Sequence, residues 1–354
     1  MPEIRSLVIA TLSALVTAMA SPPVLAHHGP VFQSALYLSD NLIELQGEIV
    51  AVFWRYPHTR ARLRVVDDEG EEQMWEIEME PTPREWEQLG FNEEDLFGPV
   101  RAAGYISRRA SNVLGASNIL LPDGRELALR SRDLIWSGDR VSVEEPAVDP
   151  DRAAEERRTA TGIFRTWGPR LGRRPRAADH HHLLTERGRE LAAQYYAPTD
   201  NPELECRTGV GASMPTPSPM EIIDEGDRIT VHQSEYNVRR TIWLDSDASV
   251  AEATPGPLGF SVGRWEDDVL VVHTTHIDFP YLDPSGTPQS DQIEYLERLQ
   301  VTESEGEVVL NHSLTATDPV MYAEPIVLQW QRRWSPGSVI DEFDCAVEWE
   351  SEPE

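Results

Sequence analysis

Histidine and cysteine are the residues whose types and spacing bear most on chemistry here. Two of the ten histidines stand together at His27-His28, directly after Val24-Leu25-Ala26. Cleavage after Ala26, with Val24 at the other recognition position, leaves His27 as the first residue of the mature chain. A terminal histidine offers a metal a ring nitrogen and an α-amine whose pKa is only about 7.7–8.0. A second imidazole completes a three-nitrogen set, and tetragonal nitrogen sites suit Cu(II), which tops the divalent affinity order. His58 is the candidate for that ring, because Pro57 keeps Tyr56 extended and the turn aims His58 at the start of the chain. His28 ligates in its place or flanks the site. The expected cofactor is copper, on His27, His28 and His58. Cleavage at the second small-residue site, Ala18-Met19-Ala20, gives the competing reading of a solvated tail.

Cys206 and Cys345 are the only cysteines. In an oxidising compartment they are expected to pair, joining the first and last segments of the second half of the chain. His180-His181-His182 reads as a polar linker rather than a metal site. His273 and His276 are three apart on a predicted strand and so face opposite sides. His232 and His312 are read as barrel-lining or surface residues. The sequence holds no His-Glu-x-x-His, Cys-x-x-Cys or Gly-x-Gly-x-x-Gly. All 31 basic residues are Arg, which removes Schiff-base and P-loop lysine chemistry. The 61 acidic residues and net charge of −30 argue against nucleic acid and anionic membranes as partners.

The elements that position these residues begin with a removable export signal. Arg5 precedes an uncharged run from Leu7 to Ala20, short of the roughly 20 apolar residues a spanning helix needs. The expected location is periplasmic or secreted, with no integral membrane segment after cleavage. A length of 354 suggests at least two domains. Strands are predicted over 43–56, 59–66 and 74–79, with Ala61, Leu63 and Val65 on one face and a turn at 67–70. Thr82-Pro83-Arg84-Glu85 is a capping box with Pro at the first helical position, and Gly90 ends that helix. Strands follow over 99–106 and 113–121. Three strands, a helix and two strands is the order of an OB-like five-stranded barrel, assigned to residues 27–132, with a small β-sandwich as the alternative.

This stretch also resembles a family. Ala26-His27-His28, Gly47-Glu48-Ile49-Val50, Trp54, Tyr56-Pro57-His58, Gly104-Tyr105, Ala116-Ser117-Asn118 and Leu121-Pro122-Asp123-Gly124-Arg125 together are similar to the bacterial exported domain of unknown function 6152, over about residues 27–130. Tyr56 stands where that family usually has Asn, and Gly29 where Ser is common. The resemblance implies location and fold more than activity.

Residues 133–205 read as a connector with one helix near 179–193 and little core of its own. Arg157 to Arg176 holds seven Arg and no acid. A solvated linker is its plainest reading; docking on the acidic body and anion binding are the others. Residues 206–350 alternate as about eight strands, the last over 341–349, and 351–354 form a tail. Eight sequential antiparallel strands close most naturally as an up-and-down barrel, with a sandwich as runner-up. Leu184-Thr185-Glu186-Arg187-Gly188, Pro217–Glu221, Arg240-Thr241-Ile242 and Gly263–Val272 resemble exported bacterial proteins with a lipocalin-like appearance. Trp243, Phe260, Trp265 and Trp330, with Leu270, Val272 and Leu310, are expected to line a cavity for one small apolar ligand. A filled core is the alternative. The fold class is therefore mainly β, two barrels and an Arg-rich connector. The leading function is binding; a copper-dependent oxidase or oxygenase and a cell-envelope adaptor are the alternatives.

Overall fold

The computed structural model describes residues 37–38, 42–56, 58–67, 69–128, 133–141, 148–244, 253–304 and 306–346. The first unit is a closed five-stranded barrel. Strands β1 (Ile43–Phe53), β2 (Arg60–Val66) and β3 (Glu72–Glu78) form a meander, followed by α1 (Pro83–Gln88), β4 (Gly98–Ile106) and β5 (Val113–Leu120). Both arms of the capping box on α1 are made, Glu85 N–H to Thr82 Oγ1 at 3.2 Å and Thr82 N–H to Glu85 Oε2 at 2.7 Å. β1 pairs with β2 through its second half and β4 through its first. A parallel β3–β5 pairing closes the ring in the order β1-β2-β3-β5-β4. β1 pairs on both edges, and its register against β2 shifts between Ile49 and Ala51. Gly47 permits the approach, since a Cβ there would stand 2.2 Å from the Arg64 carbonyl oxygen. Ala61, Leu63, Ile77, Leu114 and Ile119 fill the core. Two short strands, β6 (Glu126–Ala128) and β7 (Arg140–Val141), extend the sheet past β5.

The second unit is a closed barrel of nine strands, one more than the sequence suggests. In chain order they are β8 (Thr166–Leu171), β9 (Met220–Asp224), β10 (Arg228–Gln233), β11 (Val238–Trp243), β12 (Phe260–Glu266), β13 (Val269–Thr275), β14 (Glu294–Ser304), β15 (Glu307–Thr317) and β16 (Ile326–Trp334). β8 closes the ring between β16 and β9. The connector is thus part of the barrel, and Ile163, Trp167, Ala177 and Leu184 belong to its core. Thr166–Leu171 contains Gly168, Pro169 and an inward Arg170, so it shows no alternation and reads as loop. The meander is also interrupted, because β11 and β12 run parallel. The connector carries more than one helix: α2 (Pro150–Thr159), α3 (Glu186–Gln194) and short helical turns at Ala177–Leu183, Ala197–Asp200 and Pro202–Glu205.

The strand expected over 341–349 does not form within the described part, 341–346. Those residues bridge the two barrels instead: Tyr56 N–H donates to the Asp344 carbonyl at 3.1 Å and Ala346 N–H to the Tyr56 carbonyl at 3.1 Å, while Asn237 bonds Phe343. Residues 347–349 lie outside the described residues. Cys206 and Cys345 form the expected disulfide, with Cα atoms 5.9 Å apart.

Residues 208–216 are all buried, and Val210 and Met214 join the barrel core. They form an internal plug. Gly211 lets it pack, since a Cβ would stand 2.3 Å from the Leu282 carbonyl oxygen. Buried loop carbonyls need donors, and Arg side chains supply them. Arg332, fully buried, donates to the carbonyls of Met214, Thr216, Ser218 and Gly168 at 2.7–2.9 Å. Arg170 donates to Pro215 at 2.9 Å and Arg174 to Ala212. The Arg run therefore docks on its own chain. Arg158 pairs with Glu155, Arg176 pairs with Asp179, and Arg165 lies 4.4 Å above the Trp334 ring.

Candidate functional site

Strand alternation decides which side chains enter the second barrel. On β15 the buried set is Val308, Leu310, His312, Leu314 and Ala316, and on β16 it is Ile326, Leu328, Trp330 and Arg332. Inward positions on the neighbouring strands add Arg240, Ser261, Thr274 and Glu297. An ion pair and an imidazole thus meet inside the barrel.

Arg240 grips both oxygens of Glu297, with Nη1 3.0 Å from Oε1 and Nη2 on Oε2. Its Nε donates to Ser261 Oγ at 3.0 Å and Nη2 also donates to Thr274 Oγ1 at 2.7 Å. His312 Nε2 lies 2.9 Å from Glu297 Oε1. Burial pushes the Glu297 carboxyl up, but the Arg240 charge and the His312 and Arg240 hydrogen bonds outweigh it and hold the group at about 2. Burial pushes the His312 imidazole below its usual range, more strongly than the Glu297 carboxylate raises it. The favoured state is Arg⁺, Glu⁻ and neutral His with its proton on Nε2, so the carboxylate has three donors and Nδ1 carries the lone pair.

Nδ1 has no hydrogen-bond partner among the described residues, and neither has the indole Nε1 of Trp330. The two residues are directly paired across β15 and β16. Their ring centroids are 4.1 Å apart, and they are only 3% and 5% exposed. Buried polar atoms without partners are uncommon and costly. One acceptor and one donor on adjoining rings suit a group that both donates and accepts, such as a hydroxyl.

The expected site residues fare differently. Trp330 lies inside with Leu270, Val272 and Leu310. Trp243 and Phe260 have outward parity and are half-buried; Trp243 lies beneath Arg228, 5.7 Å from its guanidinium. Trp265 is 42% exposed at a strand end, edge-on to Phe164 at 6.0 Å. The four aromatics therefore do not line one cavity, because position along the chain places them near a barrel while parity sends two of them outside it. Clefts of about 210 Å³ beside Glu156 and Glu221 and about 380 Å³ beside His273 and Glu294 lie on the outer surface.

His27 and His28 lie outside the described residues. His58 has Nδ1 2.6 Å from the Glu80 carbonyl; a carbonyl only accepts, so Nδ1 holds a proton. No three of His, Cys, Asp and Glu gather as a metal-holding group among the described residues. His181 bonds Thr287, and His273 and His276 bond Glu294 and Thr275 separately. Arg240 and Glu297 escape a reading of the sequence that treats charge as solvated surface. The signal was their inward parity, with Glu297 between Tyr295 and Leu299 and Arg240 between Val238 and Ile242. No family model matches the chain, and a search of curated proteins finds no match.

Proposed function

We propose that the chain is an exported binding protein whose lipocalin-like barrel holds a small molecule by a hydroxyl group at His312 and Trp330. The observation that carries this reading is the pair of unpartnered atoms, His312 Nδ1 and Trp330 Nε1, on stacked and almost fully buried rings. The hydroxyl donates to Nδ1 and accepts from the indole N–H. Glu297 and Arg240 lock the imidazole in the tautomer that presents Nδ1. Leu310, Leu314 and Leu328 surround the pair, so the ligand is compact or reaches in by one end. Native mass spectrometry of the exported protein tests this. A small co-purifying mass, lost in Trp330→Phe, supports the reading; a bare mass for both proteins overturns it.

A second reading concerns the OB-like barrel and rests on the Glu80 carbonyl bond to His58. A histidine held through one ring nitrogen by a carbonyl is oriented as metal-ligating histidines are. With His27 at the mature N-terminus, as the resemblance to domain 6152 and the Ala26 cleavage site suggest, the site takes Cu(II). Sequencing the mature terminus and titrating Cu(II) against His58→Ala are the tests. A chain starting at Ser21, or unchanged affinity in the variant, rejects it. Oxygen consumption by the copper-loaded protein separates an oxidase from a carrier.

A further inference from the structure

Beside the plug, three polar atoms lack hydrogen-bond partners among the described residues, Arg174 Nε, Glu203 Oε1 and Asn201 Nδ2, on residues linked by the hydrogen bond from the Glu203 amide to Asn201 and by the Arg174–Glu203 ion pair. Asn201 is 2% exposed. Its Oδ1 caps the turn Pro202–Glu205 by accepting from the Glu203 amide at 3.1 Å, while its Nδ2 donates to nothing described. Arg174 donates through Nη2 to the Ala212 carbonyl. The same nitrogen stands 3.6 Å from Glu203 Oε1, an ion-pair distance beyond a good hydrogen bond.

The other acids near Glu203 are engaged elsewhere. Asp283 accepts from the Ala177 amide at 2.9 Å and from Ser285, and Glu235 accepts from Ser218 at 3.0 Å. Burial pushes the Glu203 carboxyl up to about 7 against the pull of Arg174, and the charges of Glu235 and Asp283 add to the rise. Near neutral pH Glu203 therefore holds a proton much of the time. Arg174, only 20% exposed in its side chain, is then a cation with an incomplete counter-charge, and a largely buried charge without its pair is unfavourable. With Glu203 protonated, the cluster presents donors from Arg, Asn and a carboxyl group.

We propose that Arg174, Asn201 and Glu203 form a binding site for a small monocarboxylate, which accepts from Arg174 Nε–H, Asn201 Nδ2–H and the Glu203 carboxyl. This site is separate from the His312–Trp330 pair, and it stands or falls independently of it. An anion here supplies the charge that Arg174 lacks and satisfies the three unpartnered atoms together.

Acetate titrated into the full-length protein, with acetamide as the neutral control, tests the proposal by calorimetry and by NMR of the Asn201 side-chain amide. Saturable binding is expected for acetate, with acetamide weaker by about tenfold or more, the difference one charge-assisted hydrogen bond makes. Asn201→Asp keeps the capping oxygen but replaces the donor with a negative charge, so acetate binding is expected to disappear. Glu203→Gln keeps a donor and is expected to bind acetate. Arg174→Lys retains the cation without the Nε–H and is expected to bind more weakly; it serves as the second variant if Asn201→Asp fails to fold. No saturable acetate binding, equal affinity for acetamide, unchanged affinity in Asn201→Asp or Arg174→Lys, or loss in Glu203→Gln overturns the proposal and leaves buried water as the partner of these atoms.

Discussion

Tyr56 of the first barrel and Phe343 of the last described segment pack with ring centroids 4.7 Å apart. Phe343 also meets Tyr236 of the second barrel at 5.0 Å. Around this ring, Arg84 pairs with Asp341, Arg55 pairs with Asp344 at 2.9 Å, and Asn237 bonds both backbone groups of Phe343. One aromatic side chain, 6% exposed, thus joins the two barrels. Phe343→Ala is expected to remove about 3 kcal/mol of packing. Small-angle scattering should show a larger radius of gyration with strand content retained in far-ultraviolet dichroism. An unchanged scattering profile would count against this role.

The disulfide ties the plug's leading segment to that same terminal strap, across 139 residues of sequence. A loop of this length is worth about 4–5 kcal/mol in the chain-entropy model. Cys206→Ser with Cys345→Ser is expected to lower the urea midpoint by a corresponding amount. It should also raise the proteolysis rate between residues 201 and 217.

Arg332 is the centre of the plug's support. Burial pushes its guanidinium down to about 9, with Arg170 adding to the fall, yet it serves four carbonyls. Arg332→Met keeps much of the volume and strands those oxygens. Each unpaired buried acceptor costs about 1–3 kcal/mol, so a loss of more than about 3 kcal/mol is expected in equilibrium unfolding. A loss below about 1 kcal/mol would mean that water replaces the arginine.

Acid stability should depend on Glu297. Its folded-state value of about 2 lies below the ordinary 4.5, so the folded protein binds fewer protons than the unfolded chain between those limits. Its contribution is fully present above about 4.5 and is lost as pH falls toward 2. Glu297→Gln is expected to flatten the stability profile across that window. It should also cost about 3–5 kcal/mol at neutral pH by leaving Arg240 without its carboxylate. Urea unfolding at stepped pH measures both effects.

His312 should stay uncharged at pH 6.5, the ordinary imidazole midpoint, with its proton on Nε2. Nitrogen-15 shifts of the ring report this directly. An imidazolium signal at that pH would exclude Nδ1 as an acceptor and with it the hydroxyl site.

The sequence by itself determined the first barrel almost completely. Thr82-Pro83-Arg84-Glu85, the alternation of Ala61 and Leu63 and the turn at 67–70 are local signals, and the barrel's strands follow in the order they announce. Seven strands of the second barrel are legible for the same reason, since Glu307–Thr317 alternates over one turn-bounded run and Val269–Thr275 is a short apolar one. The pairing of Cys206 with Cys345 follows from there being only two cysteines. Tertiary structure alone decided the rest. β8 has Gly168 and Pro169 where alternation should be, and becomes a strand because β16 and β9 supply its partners. Residues 341–346 carry an apolar alternation, yet Tyr56, nearly three hundred residues earlier, and Asn237, about a hundred earlier, take their backbone bonds. The candidate sites are of the same kind. Arg240, Glu297 and His312 stand on three different strands, and Arg174 joins Glu203 to a plug that no local pattern marks. A charged side chain is read as solvated until a distant partner neutralises it, and only the closed barrel brings that partner within reach.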